Sequence, residues 1–185
     1  MEDKFIESTR IIKALIREEK IKEPTFGSKD FFLKKALQSI ALSDRLSRLQ
    51  DEENIEANMW IINISYYSMF FAATALLAKY NKKIDSEVSI HILTYHALVH
   101  YFVNEDNKLE KQFIEEYKNA VDEAEELLRI SERKSFEFVN DFKNELEKRK
   151  IFTYNLGSIA EKNKAETSLK RAKSFVRVVE NMIKI

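Results

Sequence analysis

Three kinds of residue are absent or scarce in this chain of 185 residues. Cysteine does not occur, which excludes a disulfide framework and any zinc site built on thiolates. Two glycines and one proline leave little turn chemistry for β-hairpins or glycine-rich phosphate loops, and no alternating strand pattern recurs. The composition therefore predicts an all-α protein.

The chain also lacks an excess of either sign of charge. Lysine and arginine together number 31, as do aspartate and glutamate, so no global basic field attracts the chain to nucleic acid or to a membrane surface. Binding of either kind would have to be local. The charged opening Met-Glu-Asp-Lys does not resemble a signal peptide, and we expect a cytoplasmic protein.

One stretch departs from this highly charged composition. Residues 58–78 contain no charged residue, no glycine and no proline. They would form a helix of about 30 Å that is apolar nearly all round, and such a helix must be buried by other helices or by lipid. Asn63 and the adjacent Tyr66 and Tyr67 lie in its middle, which argues against lipid. We therefore predict the central helix of a bundle and no membrane span.

Two stripes along this helix predict two kinds of neighbour. At about 100° per residue, one stripe has large side chains, several with polar tips, at Asn63, Tyr67, Phe70 and Thr74. The opposite stripe consists mainly of small residues that would let a second helix approach closely: Ile61, Ser65, Ser68, Ala72 and Ala75. Buried tyrosine and asparagine side chains would need hydrogen-bonding partners.

Apolar residues recur at helical spacing on both sides of the central stretch. Helices are predicted at residues 3–19, 28–49, 86–103 and 158–184, with Ser28 as one N-cap and Asp85 or Ser86 as another. Residues 107–154 would be too long for one helix in a compact domain, so two helices broken near 130–134 are expected. We predict an N-terminal helix and linker at 1–27 and an antiparallel bundle of four or five helices at 28–185.

The three histidines fall in the predicted helix 86–103. His96 and His100 are four residues apart and share a face, a spacing that can bind a metal, while His91 lies roughly opposite His100. Two ligands are too few for a typical metal site, so we interpret these histidines as polar-face or interface residues.

The sequence has no P-loop, no Gly-x-Ser-x-Gly and no His-Glu-x-x-His, and we predict no metal or cofactor.

A family resemblance rests on two motifs. Ser-Tyr-Tyr-Ser-Met-Phe-Phe-Ala-Ala at 65–73, followed by Ala-Leu-Leu at 75–77, resembles the Tyr-Tyr-x-Met-Phe-x-Ala-Ala branch of the HEPN superfamily of small helical bundles. The likeness extends from about residue 31 to 103 and resumes at 149–175. There Arg-Lys-Ile-Phe-Thr-Tyr, from Arg149 to Tyr154, looks like that branch's second motif. The resemblance implies a HEPN-like bundle with an extra N-terminal helix.

The resemblance also implies a chemistry, from which this chain departs. Many HEPN proteins are metal-independent ribonucleases with an arginine followed by a histidine, often toxins paired with a nucleotidyltransferase-type antitoxin, and they suggest a homodimer with a shared cleft. Here Tyr154 stands where those ribonucleases carry histidine, and a phenol with a pKa of about 10 is a poor general base at pH 7. Arg149 and Tyr154 either bind a phosphate or serve as a helix cap and a core anchor.

We therefore predict a HEPN-like helical-bundle protein that binds a nucleotide, RNA or a nucleotidyltransferase-type partner, without implied catalysis. Candidate nucleotide- or phosphate-binding residues are Arg149, Tyr154, Asn63 and Tyr67. One alternative is an RNA-cutting toxin that uses Arg149 and Tyr154 for catalysis. The other is a non-catalytic adaptor that presents a helical surface to a partner protein.

Overall fold

A computed structural model describes residues 2–53, 55–86, 89–105, 109, 113–124, 126 and 162–184. The helices are α1 (Glu2–Arg17), α2 (Ser28–Glu53), α3 (Asn58–Lys79), α4 (Ile90–Leu98), α5 (113–124) and α6 (Lys162–Lys184), and α4 continues as a π-helical segment at Val99–Glu105. Two short strands, β1 (Ile21–Lys22) and β2 (Lys83–Ile84), pair antiparallel. The predicted all-α helical bundle is confirmed. The predicted break at 130–134 lies outside the described residues.

Helix α3 is the central helix, as its apolar sequence predicts. Its small stripe is buried throughout, with Ser65, Ser68, Ala72 and Ala75 each at most 1% exposed. The helix is long and apolar enough to cross a membrane, but 67% of its most apolar window is buried inside the protein, as in the core helix of a bundle. The hydrophobic effect of burying this helix against its neighbours is the main contribution to the fold.

Helices α2 and α3 pack antiparallel across small residues. The Oγ atoms of Ser43 and Ser65 are 2.9 Å apart, and Ser43 Oγ also donates to the Ile61 carbonyl at 3.2 Å. At the other end of the pair the rings of Phe32 and Phe71 stack with centroids 6.3 Å apart. These two contacts define how α2 and α3 are aligned along their lengths. In this alignment Ala36, which like Ser43 is a small buried residue of α2, falls opposite the small stripe of α3.

Helix α6 covers a further side of α3 and runs parallel to it. The ammonium of Lys79 donates to the Met182 carbonyl at 2.6 Å, which joins the C-terminal ends of the two helices. Their N-terminal halves share a separate buried cluster that includes Ile62 and Leu169. The apolar side chains that recur at helical spacing along α6 are buried: Leu169, Ala172, Val176, Val179 and Ile183. Helix α5 lies against α6, where the Tyr117 and Phe175 rings are 5.6 Å apart.

The ends of α1 and α3 have the same local structure. In each, a residue with positive φ, Glu19 at 56° and Asn81 at 56°, follows the last turn. Backbone N–H groups then close a Schellman motif, with Lys20 N donating to Leu15 O and Lys82 N donating to Leu77 O, both at 2.9 Å. The two chain segments leave these ends as β1 and β2, so the short sheet joins the C-terminal ends of the two helices.

Several local predictions were wrong. Helical spacing of the apolar residues predicts Ile6 and Ile16 on the buried side of α1 and Leu37 on that of α2, but they are 68%, 48% and 40% exposed. Gly27 is the N-cap of α2, since its carbonyl accepts from Phe31 N at 3.0 Å. Ser89 rather than Asp85 or Ser86 is the N-cap of α4.

Candidate ligand-binding site

Two of the four predicted site residues lie on α3. Asn63 and Tyr67 are one helical turn apart on the least buried face of this helix, where Asn63 is half-buried and Tyr67 is 40% exposed. Their predicted shared face is therefore present. Arg149 and Tyr154 lie outside the described residues, and their approach to Asn63 and Tyr67 stays a prediction.

The same face carries an aromatic residue that was not predicted from the sequence to belong to the site. Trp60 precedes Asn63 by three residues and Tyr67 by seven, and its side chain is 59% exposed. Because the whole stretch is apolar, its sequence does not mark which side stays open. The available signal was the helical spacing of this tryptophan with Asn63. We call Trp60, Asn63 and Tyr67 the open face.

Asn63 contains a polar atom that no described residue bonds. Its Oδ1 is buried and accepts no hydrogen bond from the described part of the chain. An unsatisfied buried acceptor costs about 1–3 kcal/mol relative to a bonded one. Because the residue is only half-buried, rotation about its side-chain bonds can bring the amide to the surface. There it could accept from one ligand group and donate to another.

His91 packs against the aromatic side chains next to the open face. The His91 ring lies against three aromatic side chains of α3, with centroids 5.3 Å from Tyr66, 5.9 Å from Tyr67 and 4.4 Å from Phe70. Edge-on contacts of this kind favour one ring orientation over others. Tyr67 is therefore held in place by packing, which favours its use as a preformed binding surface.

His96 and His100 face α1 instead. The Oγ of Ser8 is 2.9 Å from His96 Nδ1, and the Oγ1 of Thr9 is 3.3 Å from His100 Nδ1. Burial lowers the pKa of His96, the Glu7 carboxylate opposes that effect and the Lys118 ammonium adds to it. Among the described residues, no three histidine, aspartate or glutamate side chains converge on a point where a metal ion could bind. These histidines contribute to helix packing.

A buried phenol lies deeper in the bundle. Tyr117 on α5 is fully buried, and its hydroxyl has no hydrogen-bond partner within the described ranges. Burial raises the pKa of Tyr117 well above its ordinary value, and the neighbouring Tyr66 adds to that effect. The phenol stays protonated at neutral pH, which suits a core side chain and not a general base.

An apolar pocket of about 510 Å³ opens beside these residues. The segment 24–28, the first turns of α2, the C-terminal half of α3, β2 and the start of α4 form its walls. Phe70 belongs both to this pocket and to the aromatic group around His91. This pocket was not predicted from the sequence. The available signal was the single proline of the chain and Gly27 beside three phenylalanines at 26, 31 and 32.

The described residues therefore form two separate candidate features, an exposed polar and aromatic helix face and an apolar pocket. No family model and no curated protein sequence matches the chain.

Proposed function

We propose that this protein is a HEPN-like helical bundle that binds a nucleotide or single-stranded RNA on the open face of α3. The observation that carries the proposal is the amide oxygen of Asn63, which accepts no hydrogen bond from the described residues and lies between two exposed aromatic side chains. An asparagine amide matches the adjacent donor and acceptor of an adenine edge.

The two aromatic side chains support recognition by stacking. Trp60 and Tyr67 are separated by seven residues, which corresponds to about 10 Å along the helix. Each presents an exposed ring, and bases splayed out of a helix stack on such rings with about 1–3 kcal/mol per base. Stacking on the rings accepts any base, whereas the Asn63 amide between them would favour adenine.

A phosphate contact from Arg149 is part of the proposal and follows from the HEPN resemblance alone. A guanidinium binds phosphate bidentately, and the Tyr154 hydroxyl can donate to the same group. Because Tyr154 replaces the histidine of the family's ribonucleases, we expect binding without efficient cleavage at neutral pH. RNA that stays intact on a gel for hours with this protein is the expected result, and metal-independent cleavage that Arg149→Ala abolishes would favour the toxin.

The homodimer and the nucleotidyltransferase-type partner also follow from the resemblance. Exposed tryptophan and tyrosine side chains suit protein contacts as well as bases, so the open face is compatible with the adaptor alternative. The Oδ1 of Asn63, which accepts no hydrogen bond within the described ranges, favours the nucleotide, because an adenine edge offers a donor beside an acceptor to the amide.

Fluorescence anisotropy of a short labelled oligoadenylate tests the proposal. We expect saturable binding that weakens as salt concentration rises, because charged phosphate contacts release counterions. Asn63→Ala and Tyr67→Ala should each weaken binding by about tenfold, the loss that accompanies about 1.4 kcal/mol.

Phe26→Ala is the matched control. Phe26 is an aromatic side chain that is fully exposed but lies away from the open face, so its removal should leave RNA affinity unchanged. Equal affinities of wild type, Asn63→Ala and Tyr67→Ala would contradict the proposal. Arg149→Ala should reduce the salt dependence, and an unchanged dependence would remove only the phosphate contact inferred from the resemblance.

A further inference from the structure

From the apolar pocket and the lysines at its edge, we infer a second binding site, independent of the open face, for a small amphipathic anion: an unbranched acyl chain with one carboxylate. The pocket volume of about 510 Å³ lies within the range of about 300–1,000 Å³ typical of small-molecule sites.

The walls of the pocket favour an apolar ligand body. The walls contain the rings of Phe32 and Phe70 and the branched side chain of Leu77. Ile90 of α4 completes the apolar lining. Two threonine hydroxyls in the lining are already used, because Thr74 donates to Phe70 O at 2.9 Å and Thr94 donates to Ile90 O at 2.8 Å. A nucleobase placed against these helices would lose hydrogen bonds to water without replacement, whereas an acyl chain would lose none.

The positive charge at the pocket edge favours an anionic head group. Lys82 and Lys83 both line the pocket, and neither forms an ion pair with a carboxylate in the described ranges. The nearest acidic residue along the chain, Asp85, is ion-paired with Lys22, and its carboxylate has a weaker electrostatic interaction with Lys83. A carboxylate at the edge would therefore meet the ammonium of Lys82, which forms no ion pair among the described residues, and that of Lys83, which Asp85 compensates only in part.

The structure holds these lysines at the pocket. The Schellman motif at the end of α3 fixes the backbone of Lys82, and its ammonium lies 5.4 Å from the centre of the Tyr101 ring. Lys83 is fixed by pairing with Lys22 in the short sheet. Because the backbone positions are set by the fold, ligand binding needs to order only the ends of two side chains.

The first turn of α2 adds a weaker attraction for an anion. Gly27 and Ser28 line the pocket, so the positive end of the α2 dipole is nearby. Asp30 lies in the same turn, but it is 77% exposed and 3.3 Å from the Lys29 ammonium. Of the exposed aromatic side chains, Phe26 and Phe31 lie at the entrance, where they can cover an acyl chain.

Isothermal titration calorimetry with dodecanoate below its critical micelle concentration tests the inference. We expect binding of one dodecanoate per chain with a negative heat-capacity change, as burial of apolar surface requires. Dodecyltrimethylammonium, which has the same chain and the opposite charge, should bind at least tenfold more weakly. Equal binding of the two probes would show that charge does not select the ligand and would overturn the inference.

Substitutions in the pocket distinguish binding of dodecanoate there from nonspecific adsorption to the protein surface. The double variant Lys82→Gln, Lys83→Gln should weaken dodecanoate about tenfold, whereas Lys170→Gln, an exposed lysine on α6, should not change it. Ala78→Phe fills the pocket and should abolish binding. Phe26→Ala affects no buried contact and should weaken binding several-fold, which keeps the test valid if Ala78→Phe does not fold. Unchanged affinity in the lysine double variant or in Phe26→Ala would contradict the site.

Discussion

At the residue scale, the small side chains of α3 determine how closely its neighbours approach. Ser65 and Ala72 are at most 1% exposed and lie along the contact with α2, whereas Ala78 lines the apolar pocket. Added volume has no room at the first two positions and has open space at the third. Ser65, Ala72 and Ala78 are similar in size, but a larger side chain fits only at Ala78.

We predict that Ser65→Leu and Ala72→Leu each lower the free energy of unfolding by about 1–3 kcal/mol, as overpacking of a core does. Ala78→Leu should change it by no more than about 0.5 kcal/mol, because the longer side chain extends into the pocket. Urea denaturation of the three variants measures these values. Equal losses in all three would mean that the small stripe is not a close contact.

His96 predicts a pH dependence of stability. Burial lowers its pKa in the folded state, so the unfolded chain binds a proton more readily than the folded one. Stability should therefore be complete above a pH of about 6.5, the pKa of an unperturbed histidine, and should fall as the pH decreases below it.

The measurement compares wild type with His96→Asn, which retains a polar group toward Ser8 but does not titrate in this range. The decrease in unfolding free energy between neutral and mildly acidic pH should be smaller in the variant. NMR titration of wild type should give His96 a pKa below 6.5. A pKa above that value, or identical pH profiles, would refute the role assigned to burial.

The sequence indicated the residues of the open face only in part. Asn63 and Tyr67 were identified from their polar tips on a helical stripe, but the exposure of Trp60 depends on which side of α3 the other helices cover. The pairing of Ser8 with His96 joins residues 88 positions apart and has no local signal. Contacts of this kind follow from the packing of whole helices.

At the scale of elements, the presence of each described helix could be predicted from the sequence, but the residues at which the helices begin could not. The apolar periodicity of α6 identified Leu169, Ala172, Val176, Val179 and Ile183, which are buried, but not Phe175, which is buried as well. The start of α2 was misassigned because Ser28 has the chemistry of an N-cap, while the chain turns at Gly27, whose φ of 80° few other residues adopt. The two-residue strands were missed because their pairing depends on the ends of α1 and α3 being adjacent.

The positive φ of Glu19 yields a prediction for the end of α1. A residue with a Cβ is strained in this left-handed conformation, and glycine is not. We expect Glu19→Gly to raise the free energy of unfolding by about 0.5–1 kcal/mol. Lys13→Gly, inside the same helix and exposed, should lower it by about 1 kcal/mol. Destabilisation by both variants in thermal melts would contradict the Schellman assignment.

At the scale of the whole molecule, the outer face of α2 retains exposed apolar side chains. Phe31 and Leu42 are 55% and 52% exposed and lie on one stripe, since eleven residues make about three helical turns. This stripe supports the proposed homodimer, because an isologous contact would bury the same residues on both chains.

Sedimentation equilibrium at micromolar concentration tests the dimer. Wild type should have twice the mass of one chain, 21.9 kDa, and Leu42→Glu should shift it toward the monomer. Leu37→Glu, a substitution of the same kind off the stripe, should leave the mass unchanged. A wild-type protein with the mass of one chain at all concentrations would refute the dimer.

The proposed stacking of bases on the open face of α3 has a direct probe in the molecule itself. Trp60 is the single tryptophan of the chain, so all tryptophan emission comes from the open face. Titration with oligoadenylate should quench this emission in a saturable manner, with a midpoint that rises with salt and rises about tenfold in Asn63→Ala, which retains Trp60. Emission that does not change while anisotropy reports bound RNA would contradict the account, because the bases would then bind elsewhere on the protein.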